Sequence, residues 1–241
     1  MRKIFLLIVM IILVLPSQVN AISLLPAVME ISGSKGSVVT STLTVLNTKD
    51  IEQTYFLNIM KFVASNTGES PVFIPYNEDH SGLPDWIVLP YAQLQVPAHE
   101  KREIDYSIVI PADAASGGYY GAITVSQTPS ELVESNGAAV DAITAALVLL
   151  TVEGDTIEQA SLLDFVDRGA KIRSVLSQTF FYRIQNQGNV HVAPQGLITM
   201  KDFFGRTVSS IDANILKSRI LPSTTREFTV ESPELTNGFY R

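Results

Sequence analysis

Alternation with a period of two is the feature that most constrains what this chain can fold into. In Glu103-Ile104-Asp105-Tyr106-Ser107-Ile108-Val109-Ile110 the even positions are apolar and most odd ones polar, as a strand with one buried face requires. Phe180, Tyr182 and Ile184 alternate in the same way with Phe181, Arg183 and Gln185, and Phe228 and Val230 with Glu227, Thr229 and Glu231. Turn-forming clusters separate such runs: Ser32-Gly33-Ser34-Lys35-Gly36, Ser65-Asn66-Thr67-Gly68, Asn186-Gln187-Gly188-Asn189 and Thr236-Asn237-Gly238. No segment carries a sustained helical stripe with caps. Short strands punctuated by Gly, Pro and Asn predict an all-β sandwich architecture. The apolar run at 142–150, bounded by Asp141 and Glu153, is too short to cross a bilayer as a helix and predicts a buried strand.

The amino terminus predicts export. Met1-Arg2-Lys3 is positive, Ile4 to Leu15 is unbroken apolar sequence, and Val19-Asn20-Ala21 places small or modest side chains at a cleavage site. That run is well short of the ~20 residues of a membrane-spanning helix, so residues 1–21 read as a signal peptide rather than an anchor. Loss of Arg2 and Lys3 would take the formal charge from −7 to −9. With 46% apolar and only 17% charged residues the mature chain has ample core material and is not a disordered acidic tail. Its acidity argues against a nucleic-acid partner bound through a basic face. Cysteine is absent, which excludes disulfides, thiolate metal sites and a cysteine nucleophile. The expected location is extracytoplasmic, at a bacterial cell surface or in a periplasm.

A weak internal repeat divides the chain. Leu43-Thr44-Val45-Leu46-Asn47 resembles Phe181-Tyr182-Arg183-Ile184-Gln185-Asn186, a strand ending at an Asn. Val96-Pro97, Arg102-Glu103-Ile104 and Gly118-Tyr119-Tyr120 recur in order as Leu221-Pro222, Arg226-Glu227-Phe228 and Gly238-Phe239-Tyr240. The expectation is one sandwich at 22–153, with an insertion at 64–90, and a second at 154–241. After Tyr240 only Arg241 remains, so the second sandwich is expected to be incomplete, with an exposed edge. Such an edge suits a longer protein or a strand donated by a partner.

Three blocks carry a family resemblance: Ser41-Thr42-Leu43-Thr44-Val45-Leu46-Asn47; Asp85-Trp86-Ile87-Val88-Leu89-Pro90 leading to Leu94-Gln95-Val96-Pro97-Ala98; and Ile110-Pro111-Ala112-Asp113-Ala114 leading to Gly117-Gly118-Tyr119-Tyr120-Gly121-Ala122-Ile123. Over about 24–153 they resemble the immunoglobulin-like domain of bacterial surface proteins related to the WxL peptidoglycan-binding family. The resemblance implies tandem immunoglobulin-like β-sandwiches and a carboxy-terminal transmembrane helix, so any membrane attachment would run through an anchor this sequence lacks. More distantly, the blocks resemble the amino-terminal domain of periplasmic pilus chaperones, which hold a subunit carboxylate with paired basic residues in a cleft. Glu30 stands where such an Arg would be sought, which counts against that role.

Catalytic signals are weak. His80, His99 and His191 are far apart, and Ser32-Gly33-Ser34-Lys35 matches an S-x-x-K string only within a Gly/Ser turn. Asn77-Glu78-Asp79-His80 with Asp85 lacks calcium-loop spacing and reads as a solvated loop. No enzyme activity, metal or cofactor is expected. The predicted role is a non-enzymatic surface module that binds cell-wall polysaccharide or another surface protein. The alternative is a periplasmic chaperone or pilus-type assembly protein acting by strand complementation. Ligand contact is assigned to Phe73, Tyr76 and Trp86, aromatics interleaved with Pro, Asn and Gly and suited to stacking. Pro97 and Pro111 are expected to end strands, and Tyr119 to fix a corner by bonding to backbone.

Overall fold

The computed structural model describes residues 22–65, 68, 70–74, 78–129, 143–167 and 179–233. Residues 1–21, expected to direct export, Tyr76 and the Gly238-Phe239-Tyr240 block lie outside them.

The first sandwich is built from β1 (Ser23–Leu25), β2 (Val28–Gly33), β3 (Val38–Leu46), β4 (Gln53–Ala64), β5 (Pro71–Ile74), the single-turn α1 (Leu83–Trp86), β6 (Ile87–Val88), β7 (Gln93–Val96), β8 (Lys101–Val109), β9 (Gly117–Ser126) and β10 (Thr144–Val152). One sheet has the order β1-β3-β8-β6; the other runs β2-β10-β9-β4-β5, with β7 also paired to β4. The alternation in 103–110 has its expected consequence: Ile104, Tyr106 and Ile108 of β8 point inward with Leu43 and Val45 of β3 and meet Leu57, Ile123, Val148 and Leu150 of the facing sheet. Full burial of each such side chain contributes roughly 1.5–3 kcal/mol. Residues 144–150 of the apolar run lie in β10, between β9, antiparallel, and β2, parallel. β7 stops just before Pro97 and β8 just before Ile110-Pro111, as expected where the ladder loses a donor. The Tyr119 hydroxyl donates to the Ala115 carbonyl at 3.1 Å and ties down the corner entering β9.

The second sandwich contains β11 (Ala160–Asp167), β12 (Thr179–Asn186), β13 (Leu197–Lys201), β14 (Thr207–Asp212) and β15 (Thr225–Glu231). Among the described residues β11-β12-β15 form one sheet and β13-β14 a hairpin. Its core is aromatic: Tyr182 and Phe228 face each other across β12 and β15, rings parallel with centroids 5.1 Å apart, joined by Ile220 and Val230.

The repeat is carried by a buried asparagine. Nδ2 of Asn47 donates to the carbonyls of Ile51, Val96 and Pro97, and its side-chain oxygen accepts from the Lys49 amide and the Tyr55 hydroxyl. Nδ2 of Asn186 donates to the carbonyls of Val190 and Ile220, and its oxygen accepts from the Gly188 amide. The turns that these asparagines grip match as well. The Asn47 amide bonds the Glu100 carbonyl and that of Asn186 the Thr224 carbonyl, while His99 and Ser223 occupy left-handed backbone with φ 57° and 58°. These bonds pair Val96 with Ile220 and Pro97 with Leu221, which corrects the sequence alignment by one residue. Pro222 is not the partner of Pro97; the matching prolines in the sequence mark neighbouring, not equivalent, places in the turn.

The sandwiches meet at an ordered junction. The Gly118 amide donates to the Asn189 carbonyl at 2.8 Å, and the Asn189 side chain bridges the Asp155 carbonyl and the Ile157 amide. Glu30 of β2 is ion-paired with Arg219 of the second sandwich.

Candidate binding cleft between the sandwiches

β10 is apolar on both faces. Ala146, Val148, Leu150 and Val152 enter the sandwich core, whereas Ala145, Leu147 and Leu149 join a second apolar layer on the outer face with Val28, Phe62, Tyr120 and Ala122. Alternation along a strand sends neighbours to opposite faces, so a continuous apolar run is what a strand buried on both sides needs. Leu221 of the second sandwich packs onto the outer layer, and the His191 ring stands edge-on to Tyr120 at 5.9 Å.

Cover over that layer is partial. A cleft of about 260 Å³ remains between the sandwiches. Its walls are Val28, Phe62, Leu147 and Leu149 on one side and Leu216, Leu221, Arg219 and Arg226 on the other. The fit is close: a Cβ on Gly68 would strike the backbone of Thr225 and Arg226, so Gly68 reaches the second sandwich only because it has no side chain. Arg219 is held by Glu30 and by the Lys217 carbonyl; Arg226 donates to the Arg219 carbonyl and lies over the Phe228 ring at 5.8 Å.

Ahead of the β2 ladder residues 22–27 stay beside β10: the Leu147 amide donates to the Ala27 carbonyl at 2.9 Å and the Thr144 hydroxyl to the Ile22 carbonyl at 3.3 Å. β2 pairs with β10 over Leu147–Val152, while β9 continues to Thr144. Ala145 therefore extends past the parallel ladder, and Ile143 just before the strand is 53% exposed.

The aromatics expected to bind ligand are not gathered on one face. Trp86 packs on Tyr119, centroids 4.4 Å apart, against the inner core. Phe73 lies in β5 with its ring 6.3 Å from Phe62, which belongs to the outer layer, and is 36% exposed. Tyr76 is outside the described residues.

The acidic loop is satisfied internally. Lys61 Nζ lies 2.6 Å from Asp79 and His80 Nδ1 2.5 Å from Asp85; the bond from Lys61 holds the Asp79 carboxyl far below the usual carboxylate range. Among the described residues no group of three His, Asp or Glu is placed to hold a metal ion. No helix among them is long and apolar enough to cross a membrane.

Sequence reasoning missed Arg219 and Arg226 because it sought cleft cations on the early strand, where Glu30 stands. The sequence offered a partial signal, since Arg226 is in the repeated Arg-Glu-apolar block. Its proximity to Arg219 depends on the turn at 221–224. Burial at the junction holds the His191 imidazole below its ordinary pKa, with Glu30 and Glu158 opposing and Arg219 adding to the shift.

No protein-family model matches the chain, and a search of curated proteins finds no match. Solved structures with similar topology include a chain from a chaperone–tip adhesin complex of CFA/I fimbriae biogenesis, at 14% identity and TM-score 0.46 over 92% of this chain and 97% of that one. The class 5 fimbriae chaperone CfaA has 15% identity and TM-score 0.45 over 92% and 98% of the two chains. A chain from the Salmonella enterica SafA pilin–SafB chaperone complex has 10% identity and TM-score 0.43 over 93% and 97%. Likeness at this level transfers no role to the chain.

Proposed function

We propose that this is an extracytoplasmic, non-enzymatic protein that holds an extended apolar segment of a partner protein along β10 and in the cleft between its sandwiches. The observation that carries the reading is the outward apolar row Ala145, Leu147 and Leu149 of β10, of which Leu147 and Leu149 line an apolar cleft containing Arg219 and Arg226. An edge supplies backbone hydrogen bonds in register, and alternate pockets select side chains, the general basis of strand addition. The two guanidinium groups favour a segment with negative charge near the junction. Strand complementation of this kind is the work of a periplasmic assembly chaperone, and pilin subunits are the partner class that reading names. Export through the segment at 1–21 suits it.

The test uses the exported chain and fluorescent peptides with alternating apolar residues, carrying either a free or an amidated carboxy terminus. Binding that weakens about tenfold on Leu147→Asp, a change of roughly 1.4 kcal/mol, and favours the free carboxylate is the expected result. Equal binding by Leu147→Asp, with the fold intact, overturns it.

A second reading places a donated strand on the second sandwich. It is favoured by β11, a sheet edge among the described residues that exposes Leu162, Leu163, Phe165 and Val166. Recognition of wall polysaccharide through Phe73, Tyr76 and Trp86 gains less support, because Trp86 is engaged by Tyr119 and Phe73 by Phe62 in separate clusters. The resemblance to WxL-related surface proteins rests on the sequence blocks alone.

A further inference from the structure

The far end of the second sandwich presents two phenylalanines to water on a braced hairpin. β13 and β14 are anchored at their base, where Ile198, Met200 and Ile211 pack against Phe180. At the tip, Asp202 organises the turn. Its Oδ1 accepts from the amides of Phe204 and Arg206, each at 2.9 Å, and its Oδ2 accepts from Nε of Arg206 at 2.7 Å. The Gly205 amide closes back on the Asp202 carbonyl, with Gly205 at φ 82°, a conformation open to glycine. The turn is therefore set before any ligand arrives. Phe203 is 84% exposed and Phe204 79%, their rings edge to face at 5.6 Å. The Arg206 guanidinium lies 5.5 Å from the Phe204 centroid, and Lys201 is exposed at the end of β13.

We infer that this tip is a contact for an anionic lipid surface. Large exposed aromatics grouped together mark an interaction site. A convex tip needs no shaped pocket when its medium is fluid, and phenyl rings partition into the boundary between headgroups and acyl chains. Lys201 and Arg206 stand where phosphates would lie, with aliphatic stems that can follow the rings inward. The formal charge is −7 for the whole sequence and −9 without residues 1–21, so an anionic surface repels the molecule in most orientations and the two cations at the tip select the one that docks. Asp202 offsets only one of them, through its bond to Arg206. Contact is shallow and reversible, because two aromatic side chains are a single weak signal.

The experiment mixes the exported full chain with vesicles of phosphatidylglycerol and phosphatidylcholine, or of phosphatidylcholine alone, and measures sedimentation. The expected result is several-fold greater partitioning to the anionic vesicles, reduced at least tenfold by the double variant Phe203→Ser, Phe204→Ser at unchanged melting temperature. Lys201→Glu should erase the preference for phosphatidylglycerol. Because the double variant could fold poorly, Phe204→Trp in a Trp86→Phe background with brominated lipids gives an independent readout: its emission should be quenched, at shallow depth. A chain that ignores both vesicles, or a folded double variant that binds as before, overturns the inference and leaves a protein groove as the occupant.

Discussion

Asn47 and Asn186 hold the same corner in the two sandwiches, yet the space above each corner is filled differently. In the strand leading to Asn47 the cross-strand pair is aliphatic, Leu43 opposite Ile104, and the Tyr55 hydroxyl bonds the asparagine itself. Over Asn186 the equivalent contact is Tyr182 stacked on Phe228, and the Tyr182 hydroxyl donates away from the asparagine to the Ala213 carbonyl. A backbone device is thus kept while the side chains around it are exchanged. The reason is physical. A buried amide must have all its partners, so the turn that supplies them is constrained atom by atom. A core has only to be filled, and several combinations of shapes achieve that.

The largest difference should appear on removing the locks. Asn47→Ala removes five hydrogen bonds and is expected to cost about 3 kcal/mol; Asn186→Ala removes three and should cost about 2 kcal/mol. Urea unfolding of the full chain measures both, and equal losses would undo the distinction between the two corners.

Next in size are two tyrosine hydroxyls. Tyr119→Phe and Tyr182→Phe each remove one bond to a backbone carbonyl and should cost about 1 kcal/mol. Burial pushes the Tyr182 phenol up to about 12, with Asp212 adding to the shift, so the stability tied to its protonated form is complete below the ordinary value near 10 and is lost as pH rises from there toward about 12. Absorbance at alkaline pH would detect an early-titrating Tyr182 and refute this.

The histidines divide by region. His80 and His99 of the first sandwich are exposed to solvent in large part, whereas His191 is packed on Tyr120 at the junction with its pKa lowered by burial. A histidine held neutral takes up fewer protons folded than unfolded. The stability it contributes is complete above the ordinary value near 6.5 and is lost as pH falls toward and through the lower folded value. Melting between pH 7.5 and 5.5 should therefore fall less in His191→Gln than in the parent. An identical fall in both would show that the junction does not titrate.

The smallest effect belongs to Glu30→Gln, which weakens a partly exposed ion pair with Arg219 and should cost about 0.5 kcal/mol, mostly lost in high salt.

Much of the strand architecture was legible. Ile104, Tyr106 and Ile108 announced their buried face by alternation alone, and the 142–150 run announced a buried strand. The asparagine repeat was visible as a string, but its register was not. Identity at Pro97 and Pro222 suggested one alignment, whereas hydrogen bonds at Val96 and Ile220 fix another. Trp86 and Phe73 looked alike as ring-bearing residues of one segment. Only packing separates them, because α1 turns Trp86 onto Tyr119 while β5 hangs Phe73 beside Phe62 on the other layer.

By itself the sequence determined the all-β class, the inward positions of each alternating strand and the corners made by Pro97, Pro111 and Tyr119, since these follow from spacing within a few residues. Tertiary structure decided where β10 ends its pairing, that Arg219 and Arg226 come together beside Leu147, and that Glu30 reaches an arginine in the other sandwich. Those outcomes depend on which distant strands become neighbours. No local period records that choice, because the same apolar alternation can be satisfied by more than one partner until the whole core closes.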